Sequence, residues 1–302
     1  MEIYQNHLKK PELTARSVLI IILTLCSVLL IFAIPLMDRF FWLLFVDLIT
    51  PLIVGFFVLL FAFPIEIYND WQIEKAVIKL RNHPSLLVVA VTGSVGKSMT
   101  KEYIARILRK KYTVIKTDGK NNTAIGIART IHDKLEKDTD IFVAEISAYQ
   151  PGEIAMLCEL IRPKIGVLTA INSHYLALFK TMEKIKQTNY ELVTSLPSNG
   201  FCLYNGDNKN TFELYGKSRR KKILYRTTKI DGTIKKGQKE VVARNIVYKT
   251  KRVTFSVSLK NKKIDFMMNA THHIDQILPA IYLASFLGMS EQEIKREVAL
   301  LK

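Results

Sequence analysis

LLVVAVTGSVGKSMTKEYIARILRK, residues Leu86 to Lys110, reads as a strand, a glycine turn and a helix. Leu86 to Val91 is a continuous apolar run rich in Val, too short for a helix and bounded by Thr92-Gly93, so it predicts a strand buried on both faces. From Lys97 onward, Tyr103, Ile104, Ile107 and Leu108 recur at three- and four-residue spacing, which puts them on one face of a helix packed on the sheet. The helix therefore begins at the turn.

A helix start offers free backbone N–H groups and the positive end of its dipole, and Gly93 and Gly96 let the main chain approach an anion closely. Lys97 adds a charge and Ser98 a hydroxyl suited to Mg²⁺. Val91 stands where the commonest phosphate-loop pattern has its first glycine, leaving T-G-x-x-G-K-S. The bland alternative is a Gly-Lys-Ser that merely makes a tight turn. The buried strand before it and the amphipathic helix after it favour nucleotide phosphate binding.

Downstream the alternation continues. Strands are expected near Leu86–Thr92, Thr113–Thr117, Ile141–Ile146, Ile165–Ala170 and Gly200–Tyr204, and helices near Lys97–Lys110, Thr123–Leu135, Gly152–Ile161 and Thr181–Ser195. That order predicts an α/β domain over residues 86–302 with a mainly parallel sheet. Beyond Asn208 the character changes. Ala243–Thr250, Arg252–Leu259 and Lys262–Met268 alternate and are separated by turns, which predicts a small antiparallel β portion. Two helices, Ile274–Phe286 and Ser290–Leu301, follow, the second with Ser290 and Glu293 spaced as a capping box.

Upstream, Ser17 to Met37 carries no charge over 21 positions, enough for a helix to cross a bilayer. A second apolar stretch, Phe40 to Ile67, is broken by Asp47 and Pro51 and predicts a second span from about Leu48. Residues 17–67 thus read as a transmembrane hairpin. Lys9, Lys10 and Arg16 precede it, Lys75, Lys79 and Arg81 follow it, and the turn holds only Arg39. Both ends, including residues 1–16, are then cytoplasmic, and the protein is multi-pass in the cell membrane with its α/β domain in the cytoplasm. A cleaved signal peptide fits worse, because the first run is long, lacks a small-residue cleavage site and is followed by another apolar segment. Residues 68–85 read as an amphipathic linker helix ending before Pro84.

Cys26, Cys158 and Cys202 are odd in number and widely spaced, which suggests neither a disulfide framework nor a zinc site. The formal charge is +17, but about +14 of it falls between Gly206 and Lys263. It reads as the solvated face of the antiparallel strands. A nucleic-acid platform would also need interleaved exposed aromatics, and Tyr225, Tyr248, Phe255 and Phe266 are placed for the core, so no nucleic-acid partner is expected.

Two further groups bear on chemistry. Ile141-Phe-Val-Ala-Glu145 is an apolar strand ending in a carboxylate, and strand C-termini in such sheets open on the ligand crevice. Glu145 is therefore a candidate Mg²⁺ ligand, direct or through water, with a loop anchor as the plain alternative. Gly119-Lys-Asn-Asn-Thr123 reads locally as a turn and helix cap.

TGSVGKSMTKEYIARIL, GKNNTAIGIARTI, IFVAEISAYQPGEIAMLCELIRPKIGVLTAIN and ELVTSLPSNGFCLYNGDN, in this order, resemble successive motifs of the Mur ligases, nearest in pattern to the D-alanyl-D-alanine-adding, MurF-like branch. The resemblance covers roughly residues 86–302. It implies an ATP- and Mg²⁺-dependent amide ligase of peptidoglycan precursor synthesis, in which ATP phosphorylates a substrate carboxylate and an amine attacks the acyl phosphate. It implies a nucleotide site of Thr92, Gly93, Ser94, Val95, Gly96, Lys97, Ser98 and Met99, with His273 on the adenine side. Lys97 and Glu145 take the catalytic positions, Ser98 and Glu145 the metal, and Asn121 and Asn122 a substrate-side loop.

The chain departs from the pattern at several places. Tyr175 aligns with the family's metal-binding histidine and His174 precedes it by one, which makes His174 a third metal candidate. Asn189 stands at a lysine that the family carbamylates to hold a second metal. Ala270-Thr-His272-His273 and Gln276 replace the adenine block. The hairpin stands where the family has a soluble substrate domain, and the family's C-terminal domain, expected after Lys302, would be absent or separately encoded. Three readings follow: a membrane-anchored Mur-type ligase, a degenerate relative serving as a nucleotide-binding or scaffold protein for a partner enzyme, and a poly-glutamate-synthase-like ligase.

Overall fold

The computed structural model describes residues 14–32, 39–119, 121–227, 239–259, 262–269 and 274–301. The chain divides into two units, residues 1–71 and 72–302.

The first unit holds helix α1, Ala15–Phe32, and most of α2, Arg39–Arg81, a single helix of 43 residues containing Pro51 and Pro64. The separate linker helix expected over residues 68–85 is instead continuous with the second apolar stretch. Asn69 lies inside this stretch without ending it; no glycine follows Gly55 there, and the helix stops only at Arg81, before Asn82 and Pro84. Among the described residues one helix, Leu44–Arg81, is long and apolar enough to cross a membrane, whereas the described part of the first apolar run is shorter, at Ala15–Leu30. The first of the two expected spans is therefore not shown, since residues 33–37 of that run lie outside the described residues. The turn of the expected hairpin lies outside the described residues.

The second unit is built on nine strands: β1 Leu87–Thr92, β2 Val114–Lys116, β3 Ile141–Glu145, β4 Ile165–Leu168, β5 Phe201–Asn205, β6 Lys222–Arg226, β7 Lys239–Lys249, β8 Arg252–Leu259 and β9 Lys262–Met268. Its helices are α3 Lys97–Leu108, α4 Ala124–Lys134, α5 Glu153–Ile161, α6 Leu176–Phe179, α7 Met182–Ser195, α8 Lys209–Lys217, α9 Ile274–Phe286 and α10 Glu291–Ala299. All strands join one sheet in the order β2-β3-β1-β4-β5-β6-β7-β8-β9. Pairing is parallel from β2 to β7 and antiparallel across β7, β8 and β9.

Two apolar layers sandwich the sheet. Val89 and Val91 of β1 face one layer with α3, α9 and α10, while Val88 and Ala90 face the other with α4, α5, α7 and α8. This double burial is what the unbroken Val-rich run requires. The predicted strands and helices from Leu86 to Tyr204 are all present, with ends shifted by one or two residues. The break expected at Asn208 is not there. Helix α8 and strand β6 carry the parallel sheet on, and β7 pairs in parallel with β6 before the antiparallel strands begin. The antiparallel part is therefore the far edge of one mixed sheet.

Candidate functional site

Three loops meet at the C-terminal edge of β1, β3 and β4. Ser94 and Val95 donate their backbone N–H groups to the Ala170 carbonyl, at 2.8 and 3.1 Å, which ties the glycine loop to the segment after β4. Gly93 at φ 140° and Gly96 at φ 89° hold backbone conformations that side chains disfavour. A Cβ on Gly93 would lie 2.1 Å from Thr169 Oγ1, so the close approach itself demands glycine. Helix α3 then starts at Lys97 with no side-chain cap on Gly96, leaving its first amides facing the loop.

Lys97 is buried and its Nζ donates to the carbonyls of Gly93 and Ser94, at 2.8 and 3.4 Å. Burial pushes its pKa down from the usual lysine value, and the charge of Glu145 pulls it back up. The ammonium also lies 5.6 Å from the centre of the Tyr175 ring. Burial, then the neighbourhood of Tyr149 and Glu145, raise the Tyr175 hydroxyl, so it is neutral.

Ser98 and Glu145 come together as the sequence predicts: Ser98 Oγ donates to Glu145 Oε1 at 3.1 Å. Two hard oxygens on rigid elements suit a Mg²⁺ that completes its shell with water and phosphate oxygens. Glu145 Oε2 is engaged elsewhere, accepting from Lys101 Nζ at 3.2 Å, and both side chains are buried. Lys101 was not legible as a site residue. Its position on the buried face of α3, three residues after Ser98, is the signal that would have found it. Thr117 Oγ1 accepts from the Glu145 amide and anchors the strand end.

The other candidates are more scattered. Asn122 Nδ2 donates to Ser147 Oγ at 3.1 Å, so the Asn121–Asn122 loop lies beside the segment that leaves β3, and the backbone of Asn121 packs on Gly126. Met99 is exposed at the start of α3. His174 is also exposed, its amide accepted by Asn172 Oδ1, and among the described residues no three His, Cys, Asp or Glu side chains gather to hold a metal. Asn189 is buried with both ends of its amide satisfied. It accepts from Thr92 Oγ1 at 3.1 Å and donates to the Ile185 carbonyl at 2.8 Å. A second metal on Asn189 does not fit this arrangement. His273 lies outside the described residues.

A glycine loop and helix N-terminus at the end of β1, between β3 and β4 in the parallel part of the sheet, with a carboxylate at the end of β3, is the arrangement that suits phosphate in α/β domains. The family model of the Mur ligase middle domain matches residues 91–284, and the chain belongs to that family. It is similar to the UDP-N-acetylmuramoyl-tripeptide--D-alanyl-D-alanine ligase of Borreliella burgdorferi, 28% identical over 68% of this chain and 43% of that one. In structure it resembles MurF of Thermotoga maritima, solved in complex with ADP, at 26% identity and TM-score 0.66 over 78% of this chain and 52% of that one. MurF of Acinetobacter baumannii shares the fold at 19% identity and TM-score 0.68, over 78% and 50%. The chain spans about half the length of the relatives it matches.

Proposed function

We propose that this chain is the nucleotide-activating part of a membrane-anchored, MurF-like ligase that forms an amide bond on a peptidoglycan precursor. The observation that carries the reading is the convergence of Lys97, Ser98 and Glu145 on the loop at the end of β1. Transfer of a phosphoryl group to a carboxylate brings two anions together, so the step demands positive charge and directed N–H donors. Lys97 and the first amides of α3 supply these, and Ser98 with Glu145 would hold the Mg²⁺ that neutralises ATP oxygens. For this, Lys97 must turn from the carbonyls of Gly93 and Ser94 toward the phosphate oxygens. The Asn121–Asn122 loop is assigned to the precursor side, next to Ser147. The long apolar helix supports anchoring in the cell membrane with the α/β unit in the cytoplasm.

A second reading, a nucleotide-binding scaffold that has lost turnover, draws on Asn189, whose amide is spent on Thr92 and Ile185. Calorimetry of Mg·ATP on the full chain tests the common core of both. Binding that weakens by about tenfold or more in Lys97→Ala supports the phosphate site. No binding at millimolar nucleotide sinks it, and turnover of a precursor with D-alanyl-D-alanine separates ligase from scaffold.

A further inference from the structure

Lys101 is the most deeply buried charged side chain among the described residues. It sits on α3 at 1% exposure, where a lysine is tolerated only if paired. Its partner is Glu145, 3.2 Å away, because the other neighbouring carboxylate, Glu102, is 3.8 Å from Lys101 and is held at 2.7 Å by Lys116. The two oxygens of Glu145 are thereby given different tasks. Oε2 accepts from Lys101, and Oε1 accepts from Ser98 Oγ.

The charge balance has a consequence. Lys101 neutralises Glu145 at the very point where a divalent ion would bind, and the Lys97 ammonium adds a further positive charge on the same loop. A bare cation arriving there meets a neutral pair and an ammonium ion in a poorly screened setting, and gains little. A cation carried by a polyphosphate meets the same charges with the sign of its net interaction reversed. We infer that Lys101 is a positioning residue that orients Glu145 and makes metal binding at Ser98 and Glu145 conditional on nucleotide, so that the metal enters as its nucleotide complex. This rests on the phosphate-site reading above.

The test is a titration of the full chain with Mn²⁺ alone, at pH 7.5, followed by the electron paramagnetic resonance signal of free Mn²⁺. Wild type is expected to take up no Mn²⁺ below millimolar concentrations. Lys101→Met is expected to bind it about tenfold or more tighter, with the gain lost in the Lys101→Met/Glu145→Gln double variant. Lys101→Arg, which keeps the charge, stays like wild type. A role in packing alone would lower the melting temperature of Lys101→Met without creating a Mn²⁺ site. Submillimolar Mn²⁺ binding by wild type, or a folded Lys101→Met that binds no better than wild type, overturns the inference. If Lys101→Met fails to fold, the wild-type arm and Lys101→Arg still decide, since tight binding of bare Mn²⁺ by either contradicts a lysine charge that repels it. Absence of Mg·ATP binding by wild type, alongside a Mn²⁺ gain in Lys101→Met, would sink the phosphate-site reading and the dependence on nucleotide, leaving only the part in which Lys101 holds Glu145 and repels a bare cation.

Discussion

Gly93 has no space for even one more carbon. Its Cβ would meet Thr169 Oγ1 at 2.1 Å and the Ala170 carbonyl at 3.2 Å, at a φ that disfavours any side chain. Gly93→Ala must therefore displace the Thr169 hydroxyl, which donates to the Thr92 carbonyl, and strain the loop as well. A loss of about 2–3 kcal/mol in urea unfolding is expected, together with loss of Mg·ATP binding. Thr169→Ala in the same chain should restore part of the stability, because it removes the atom in closest conflict, and a double-mutant cycle measures that coupling. The same scale shows what sequence reasoning reaches. Lys97, Ser98 and Glu145 were legible because a short motif and a strand end place them without knowledge of the tertiary fold. Lys101 was not, because its partner Glu145 lies 44 residues away, and Tyr175 and Asn189 were reached only through the family resemblance, which does not show their contacts with Lys97 and Thr92, 78 and 97 residues away.

Strand β6 illustrates the same limit for an element. Residues 222–226 begin with Lys222, end with Arg226 and follow Lys221, and the charge of that region reads as an exposed antiparallel face. Yet Leu224 is fully buried between β5 and β7, and the Tyr225 hydroxyl donates to the Leu168 carbonyl at 3.0 Å. Five residues between two basic ends do not show a period, so tertiary pairing alone assigns them. Leu224→Ala is expected to cost about 2–5 kcal/mol in denaturant unfolding, since it opens a cavity at the joint between the parallel and antiparallel parts of the sheet. A cost under about 1 kcal/mol would mean that the antiparallel edge folds without β6. The last helix was legible in full, because its signals are local: Ser290 Oγ accepts from the Glu293 amide and the Glu293 carboxylate accepts from the Ser290 amide. Ser290→Ala should cost about 1 kcal/mol by the same assay, and Ser290→Asp much less.

For the whole molecule the decisive question is whether the proposed membrane anchor lies in the apolar helices, and two features point in different directions. The basic region from Gly206 to Lys263 would attach the chain electrostatically to anionic lipid, an attachment that high salt dissolves because charges beyond about 3 Å are screened at 1 M ionic strength. The apolar helices would instead anchor it by burial, which salt does not weaken. The cysteines make the distinction measurable. Cys26 is exposed on α1, whereas Cys158 and Cys202 are buried, and desolvation pushes the Cys158 thiol up to about 12. The two buried thiols therefore stay unreactive near neutral pH, and a maleimide reports on Cys26 alone. In sealed membranes washed with 1 M NaCl, the protein is expected to remain bound and Cys26 to resist a membrane-impermeant maleimide. Detergent should then expose it to one label per chain. Release by salt, or labelling of Cys26 before detergent is added, would assign attachment to the basic region and remove the anchor from the proposed function.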